Sequence, residues 1–128
     1  MSRRQSIHID GFVHKNPIPN ASMIGNLLVT GVIMGRDTRE ETIPDTMEEQ
    51  CAIMFRHVRD IVSAAGGTPD DIIKISVWLK DASDRSALNA EWVAMFPDPE
   101  SRPARHALPL DASSSVMIQC DFMAVIDT

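Results

Sequence analysis

The hydrophobic pattern of the chain contains one clear amphipathic helix. Apolar side chains recur at helical spacing over residues 47–65, and charged side chains fall mainly on the opposite side. Asp45 or Thr46 is expected to cap the first turn. Gly66 and Gly67 are expected to end the helix, because glycine readily adopts the left-handed conformation found there. The pattern therefore predicts a helix with one buried face.

A second helix is predicted over residues 83–96. Leu88, Trp92 and either Met95 or Phe96 have the spacing of its buried side. The prolines that follow cannot continue a helix, so the element is expected to end there.

Strands account for the other apolar runs. Residues 27–34 are apolar on both faces, which is typical of a central strand. In residues 72–80 the odd-numbered side chains are expected to face one way and the even-numbered ones, including Ile72 and Trp78, the other way. The remaining predicted strands cover residues 5–9, a stretch from about Arg105 to Leu110, and residues 116–126.

This order predicts an α+β fold, in which a mixed sheet carries both helices on one face, as a single domain over residues 1–128. No element remains to cover the other sheet face. Exposed apolar faces of this kind are usually buried against a partner. We therefore expect a homo-oligomer with clefts between its subunits. The apolar side chains on the uncovered face would be Ile72, Trp78, Met117, Met123 and Val125.

Composition and charge narrow the possible functions. The net charge of -6 argues against nucleic-acid binding, which needs a clustered basic surface. No run approaches the roughly 18 apolar residues of a membrane span. Cys51 and Cys120 lie in apolar patterns, as reduced core thiols of a cytoplasmic protein do. The histidines are scattered and no common metal or phosphate motif occurs, so no metal site is expected.

Two charged residues near the C-terminus are the candidate catalytic groups. Pro103 stiffens the approach to Arg105, whose planar guanidinium suits the bidentate binding of a carboxylate. Asp121 lies between Gln119 and Met123 on the more polar face of the last strand, where partial burial would raise its pKa and make it a base. The alternative for Arg105 is a structural ion pair at the subunit boundary. The alternative for Asp121 is a pair with Arg105 or another cation within the sheet. His106 should face away from Arg105, towards a neighbouring subunit, a pocket wall or a structural partner.

Several short motifs occur together in a characteristic order. They are the turn and strand from Gly25 to Gly31, the helix end at residues 64–67, the Arg102-Pro103-Ala104-Arg105 stretch and the closing strand. With these motifs, residues 16–125 resemble the RidA (YjgF) family of reactive-intermediate imine deaminases, which is also described as endoribonuclease L-PSP-like. The resemblance implies a chorismate-mutase-like fold and a homotrimer with a central barrel and sites at subunit interfaces.

The resemblance also implies an activity and a set of site residues. The activity would be cofactor-independent hydrolysis of small 2-imino and 2-amino-2-enoic acids, such as 2-aminoacrylate, to 2-keto acids and ammonia. By position, Arg105 would bind the substrate carboxylate. Asp121 stands where the family usually has the glutamate that orients water. Gly31 and Asn89 would line the cleft.

Besides Asp121, two positions depart from the family pattern and leave the substrate open. Ile18 stands where a pocket tyrosine is typical, and Ala107 is small. Both changes would enlarge the pocket and favour a larger enamine, such as 2-aminomuconate. A further alternative is a non-catalytic trimer that binds a small carboxylate or acts as an interaction module.

Overall fold

Two helices pack on one face of a mixed sheet in a computed structural model that describes residues 3–111 and 113–127. The predicted α+β class is confirmed. Within the described residues the sheet has seven strands. In chain order the elements are β1 (Arg4–Ile7), β2 (Ala21–Ile24), β3 (Leu27–Thr30), β4 (Ile33–Met34), α1 (Met47–Ala64), a 3-10 turn (Pro69–Asp71), β5 (Ile72–Leu79), α2 (Ser86–Met95), β6 (Ala104–Pro109) and β7 (Ile118–Val125).

The C-terminal strand β7 lies in the middle of the sheet, and β6 lies at one edge. The strand order is β1-β2-β3-β7-β5-β6, and β4 pairs with β7 beyond the end of β3. All pairs are antiparallel except β5 and β6, which α2 connects as a β-α-β unit. Pro109 cannot donate a ladder hydrogen bond, so the sequence predicts either an edge strand or a bulge there, and the residue lies in edge strand β6.

Helix α1 matches its prediction closely. The Thr46 hydroxyl accepts a hydrogen bond from the Glu49 amide at 3.2 Å, and Gly66 has a φ of 91° just after the helix end. Gln50 and His57 are also fully buried, which the apolar pattern did not indicate. The apolar buried side consists of Cys51, Met54, Phe55, Val58, Ile61 and Val62.

Helix α2 begins three residues later than predicted. Asp81 accepts hydrogen bonds from the amide and hydroxyl of Ser83, and Asp84 does the same for Ser86. These local side-chain bonds stabilise turns in place of a first helical turn. The predicted burial of Leu88, Trp92 and Phe96 is confirmed.

Strand β3 is central, as predicted, because it pairs with β2 and β7. The prediction that residues 27–34 form one strand buried on both faces is wrong. The segment forms two short strands, β3 and β4, with a break at residues 31–32. Leu27 and Val29 are 45% and 42% exposed, whereas Leu28 is fully buried. The strand lies in an antiparallel region where one sheet face carries the helices and the other face is uncovered.

The predicted alternation in β5 is wrong at its start. Ile72 is 4% exposed and Ile73 is 49% exposed, the reverse of the expectation. A register shift against β7 between Ile72 and Lys74 explains the reversal, because an irregularity of this kind changes the face that the next residue occupies. From Ile75 onward the predicted faces are confirmed.

The sheet face opposite the helices is uncovered in the single chain, as expected. Met123 and Val125 are exposed there and Trp78 is half-buried, whereas Ile72 belongs to the core. Strand β7 is shorter than predicted, because the Gln50 side chain bonds the backbone of Ser115 and Met117 instead. The predicted turn over residues 111–115 includes Ala112, which lies outside the described residues.

Neither helix of the described segments is long and apolar enough to cross a membrane. The cytoplasmic location stays a prediction.

Candidate active site

Arg105 is held in position by two side chains of α2. Its Nη1 donates a hydrogen bond to Oδ1 of Asn89 at 2.9 Å. Its guanidinium carbon lies 4.9 Å from the centroid of the Trp92 ring, within the range of a cation–π contact. Asn89 and Trp92 are three residues apart, so they share one side of the helix. The helix therefore orients the guanidinium before any ligand arrives.

The positive charge of Arg105 has no acidic partner within the described chain. Both ion pairs found among the described residues end on Asp37 and involve Arg39 and Arg56 instead. Partial burial, with a smaller contribution from nearby Arg85, lowers the pKa of Arg105, although a guanidinium remains protonated. The site thus contains a half-buried cation that a carboxylate would complement, and no ion pair to Arg105 occurs within the described residues. The alternative of an ion pair at the subunit boundary stays a prediction.

Ala107 lies on the same side of β6 as Arg105. Its register partner Val77 is buried, and Ala107 packs partly against the core. The small side chain leaves the segment next to the guanidinium without a bulky group.

Asp121 lies in the middle of the uncovered sheet face. Its register partner on β5 is Ser76, and the partner of Ser76 on β6 is His106, so these three side chains form one row. Burial raises the pKa of the half-buried Asp121 carboxyl, and the nearby Lys74 ammonium opposes that shift. A carboxylate with a raised pKa is suited to accept a proton from water. His106 is exposed and faces away from Arg105, as predicted.

Gly31 lies at the break between β3 and β4, alongside the segment of β7 that contains Asp121. The Gly31 amide donates to the Asn20 carbonyl at 3.0 Å. The hydroxyl of the preceding Thr30 donates to the Gly31 carbonyl at 2.8 Å and accepts from the Phe122 amide at 2.9 Å. These bonds fix an exposed glycine next to the strand of the candidate base.

A single chain does not bring the two candidate catalytic residues together. Arg105 is in register with Ile75, which is fully buried and faces the helices. Asp121 is in register with Ser76 and faces the uncovered side. Because side chains in one row across a sheet share a face, Arg105 and Asp121 project from opposite faces.

Ile18 lies apart from both groups. It is exposed and lines a cavity of about 530 Å³ formed by the N-terminal segment between residues 6 and 20. The predicted site residues therefore divide into three sets within one chain. Arg105, Asn89 and Ala107 form the first, Asp121 and Gly31 the second, and Ile18 the third.

The contact between Arg105 and Trp92 was not predicted from the sequence. The apolar pattern indicates only that Trp92 is a buried helix residue, and its spacing of three from Asn89 is the signal that places both on one side of the helix. The pairing of Asp121 with Ser76 had no local signal, because it depends on strand register. In the described ranges, no cluster of three or more His, Cys, Asp or Glu side chains could hold a metal ion.

The chain is similar to a known protein family over most of its length. Residues 15–124 match the family model described as Endoribonuclease L-PSP. This match covers most of the chain, so the protein belongs to this family, which is the RidA (YjgF) family of the sequence resemblance. The predicted YjgF fold is thereby confirmed.

Individual relatives are similar at low identity over most of their length. A RutC family protein of Pyrococcus abyssi is 28% identical over 110 residues, covering 84% of this chain and 85% of the relative. A protein of Escherichia coli named 2-iminobutanoate/2-iminopropanoate deaminase is 28% identical over 104 residues, covering 80% and 81%. The crystal structure of RidA from an Antarctic Psychrobacter superposes with a TM-score of 0.84 at 26% identity, covering 95% of this chain and 99% of the other.

Proposed function

We propose that this protein is a cofactor-independent deaminase that hydrolyses small 2-imino or 2-amino-2-enoic acids to 2-keto acids and ammonia. The observation that carries the proposal is the preset Arg105 guanidinium, which Asn89 and Trp92 orient and no acidic side chain of the described residues neutralises. A relative named as an imine deaminase supports the same chemistry.

The arrangement of the side chains favours a site built from two copies of the chain. Arg105 of one copy would bind the substrate carboxylate, and Asp121 of a neighbouring copy would approach from its uncovered sheet face. The apolar side chains on that face, including Leu27, Val29 and Met123, favour burial against such a neighbour. This supports a homotrimer with its sites at the subunit interfaces.

The reaction needs only a held substrate and a positioned water. Arg105 would fix the carboxylate next to C2, and its charge would favour electron withdrawal from the C=N bond. Asp121 would accept a proton from water while the water oxygen bonds to C2, and the nitrogen of the opening C=N bond would take a proton from solvent. The protonated Asp121 would then pass its proton to the nitrogen of the resulting carbinolamine. The C–N bond would break to release ammonia as the hydroxyl group loses its proton to solvent and becomes the carbonyl of the 2-keto acid.

The proposal can be tested with a pyridoxal-dependent dehydratase that generates 2-iminobutyrate. Semicarbazide would trap the remaining imine, and the protein should reduce the amount trapped. We expect Arg105→Ala to remove this effect and Arg59→Ala, an exposed arginine on α1, to retain it. No reduction by the parent protein would exclude small imines as substrates, and activity that survives Arg105→Ala would exclude this site.

A parallel assay should use 2-aminomuconate as the larger enamine. Ala107 next to Arg105 is the feature that favours this substrate, because a small side chain leaves room for a longer carbon chain. If 2-aminomuconate is deaminated faster than 2-iminobutyrate, the substrate class changes while the roles of the residues stay. If the protein binds a keto acid but deaminates neither substrate, it is a carboxylate-binding trimer.

A further inference from the structure

Three buried side-chain nitrogen atoms in the described residues have no hydrogen-bond partner, and all three lie in one region. They are Nε2 of His14, Nε of Arg36 and Nδ1 of His57. The rings of His14 and His57 lie 5.1 Å and 5.3 Å from the ring of Phe12. Buried polar groups are normally hydrogen-bonded, so three unpaired ones, two of them on rings beside a single phenylalanine, require an explanation.

Two of these nitrogen atoms belong to residues that line one cavity. The cavity has a volume of about 480 Å³, within the range of small-ligand sites. It lies between the segment that follows β1 and the loop that follows β4. Its lining combines an apolar floor with polar groups and consists of Asp10, Phe12, Val13, His14, Lys15, Met34, Arg36, Thr38 and Arg39.

The charge of the lining favours an anion. Lys15 and Arg36 take part in no ion pair among the described residues, whereas Arg39 is paired with Asp37 at 2.8 Å. Asp10 is the one acidic side chain of the described lining. The described lining therefore contains two cations without an ion-pair partner and one carboxylate, so its charge is positive.

His57 lies outside the cavity lining but bonds the backbone of Arg36, which is part of that lining. Its Nε2 donates to the carbonyl of Arg36 at 2.7 Å, which fixes the backbone that carries the arginine. Burial lowers the pKa of His57, so the ring is neutral and its Nδ1 is an acceptor. Nε–H of Arg36 is therefore a donor without a partner, and Nε2 of His14 is a second one when it carries the ring proton. Gly11 permits this packing, since a Cβ there would approach Cε1 of His57 to 3.1 Å.

We propose that this cavity binds a small oxyanion, a carboxylate or a phosphate. Arg36 and His14 would donate hydrogen bonds to its oxygens, and Lys15 would add positive charge. Within one chain the lining includes no member of the Arg105 or Asp121 sets. Asp10, Val13 and His14 also line the cavity that contains Ile18. The site is proposed in addition to the roles of Arg105 and Asp121 and does not depend on them.

The test uses the full chain carrying Arg105→Ala, so that the proposed substrate site contributes no anion binding. The protein is titrated with sodium phosphate and, separately, with sodium acetate at constant ionic strength maintained with chloride. The readouts are the NMR signals of the His14 imidazole and the Kd from calorimetry. We expect one of the two anions to shift the His14 signals saturably.

Matched variants identify the donors. Arg36→Gln and His14→Gln should each weaken binding about tenfold or more, because each removes a hydrogen bond to a charged ligand. Arg36→Lys keeps the charge but lacks Nε–H and should also bind more weakly than the parent. Arg59→Gln, on the exposed side of α1, should bind as the parent does. Thermal melting of each variant checks that it is folded.

The outcomes separate the sources of the anion. Saturation by phosphate but not acetate assigns the cavity to phosphate-bearing ligands, and the reverse assigns it to carboxylates. If neither anion saturates the His14 shift by about 10 mM, where a Kd near 1 mM would be evident, the proposal is overturned. It is also overturned if both folded variants, Arg36→Gln and His14→Gln, bind as the parent does.

Discussion

Arg105 and Asp121 lie on strands separated by β5 alone, yet their side chains project from opposite faces of the sheet. One chain can hold a substrate carboxylate on the helix side or present a base on the uncovered side, but it does not join the two. If both groups act on one substrate, they come from different copies of the chain.

Mixing two inactive variants should therefore restore activity. Arg105→Ala supplies an intact Asp121, and Asp121→Asn supplies an intact Arg105. After denaturation and refolding of an equal mixture, random trimers should recover about one quarter of the parent activity, since each mixed trimer contains one complete site. Deamination of 2-iminobutyrate measures the recovery.

The control for this mixture pairs Arg105→Ala with the double variant Arg105→Ala/Asp121→Asn, which should recover nothing. Mass spectrometry would verify that mixed trimers form. Mixed trimers without activity would show that the two side chains do not share a site between copies.

Changing Asn89 should alter substrate binding through Arg105. Asn89→Ala removes the hydrogen bond to Nη1 and should lower kcat/KM about tenfold, as expected for a bond to a charged group. Asn89→Asp should raise KM further, because the new carboxylate would pair with Arg105 and compete with the substrate. Steady-state kinetics on 2-iminobutyrate distinguish the two effects.

Ala90→Asp is the matched control, since it adds the same charge one position along α2 on an exposed side. It should leave KM near the parent value. An equal rise in KM for both aspartate variants would mean that the effect comes from the charge of the helix and not from contact with Arg105.

The pH profile should show the titration of Asp121. Burial raises the pKa of this carboxyl, so kcat/KM should fall as the pH decreases through a value above the ordinary pKa of about 4. Asp121→Asn should lower kcat/KM about a hundredfold or more and remove this acidic limb. Asp127→Asn, near the C-terminus and exposed, should retain the parent profile; an acidic limb that persists in Asp121→Asn would assign the base elsewhere.

Gly35 should tolerate no side chain. It is buried, and a Cβ there would overlap the backbone of Gln50, which is part of α1 and cannot rotate away. Gly35→Ala should lower the free energy of unfolding by about 3 kcal/mol, measured by urea denaturation. Gly31→Ala is the control, because the nearest atom to its Cβ would be 3.9 Å away and the cost should be small. Equal stabilities would contradict the close packing of β4 on α1.

Local patterns in the sequence predicted the elements that depend on contacts between residues close together along the chain. Helix α1, its cap at Thr46 and the buried side of β7 follow from side-chain spacing alone. The same alternation predicted that His106 faces away from Arg105. The start of α2 and the break after Thr30 were missed, since turn hydrogen bonds and strand pairing override the apolar pattern there.

What the sequence by itself determined is the class of fold, the charged groups of the candidate site and the face of the strand on which each lies. The tertiary structure decided which strands are neighbours, and so that Asn89 and Trp92 meet Arg105 while Ser76 stands beside Asp121. It also decided that Ile72 is buried and Ile73 exposed, through the register shift in β5. The physical reason is that strand register and helix docking are fixed by contacts between residues far apart in the chain, which local spacing does not encode.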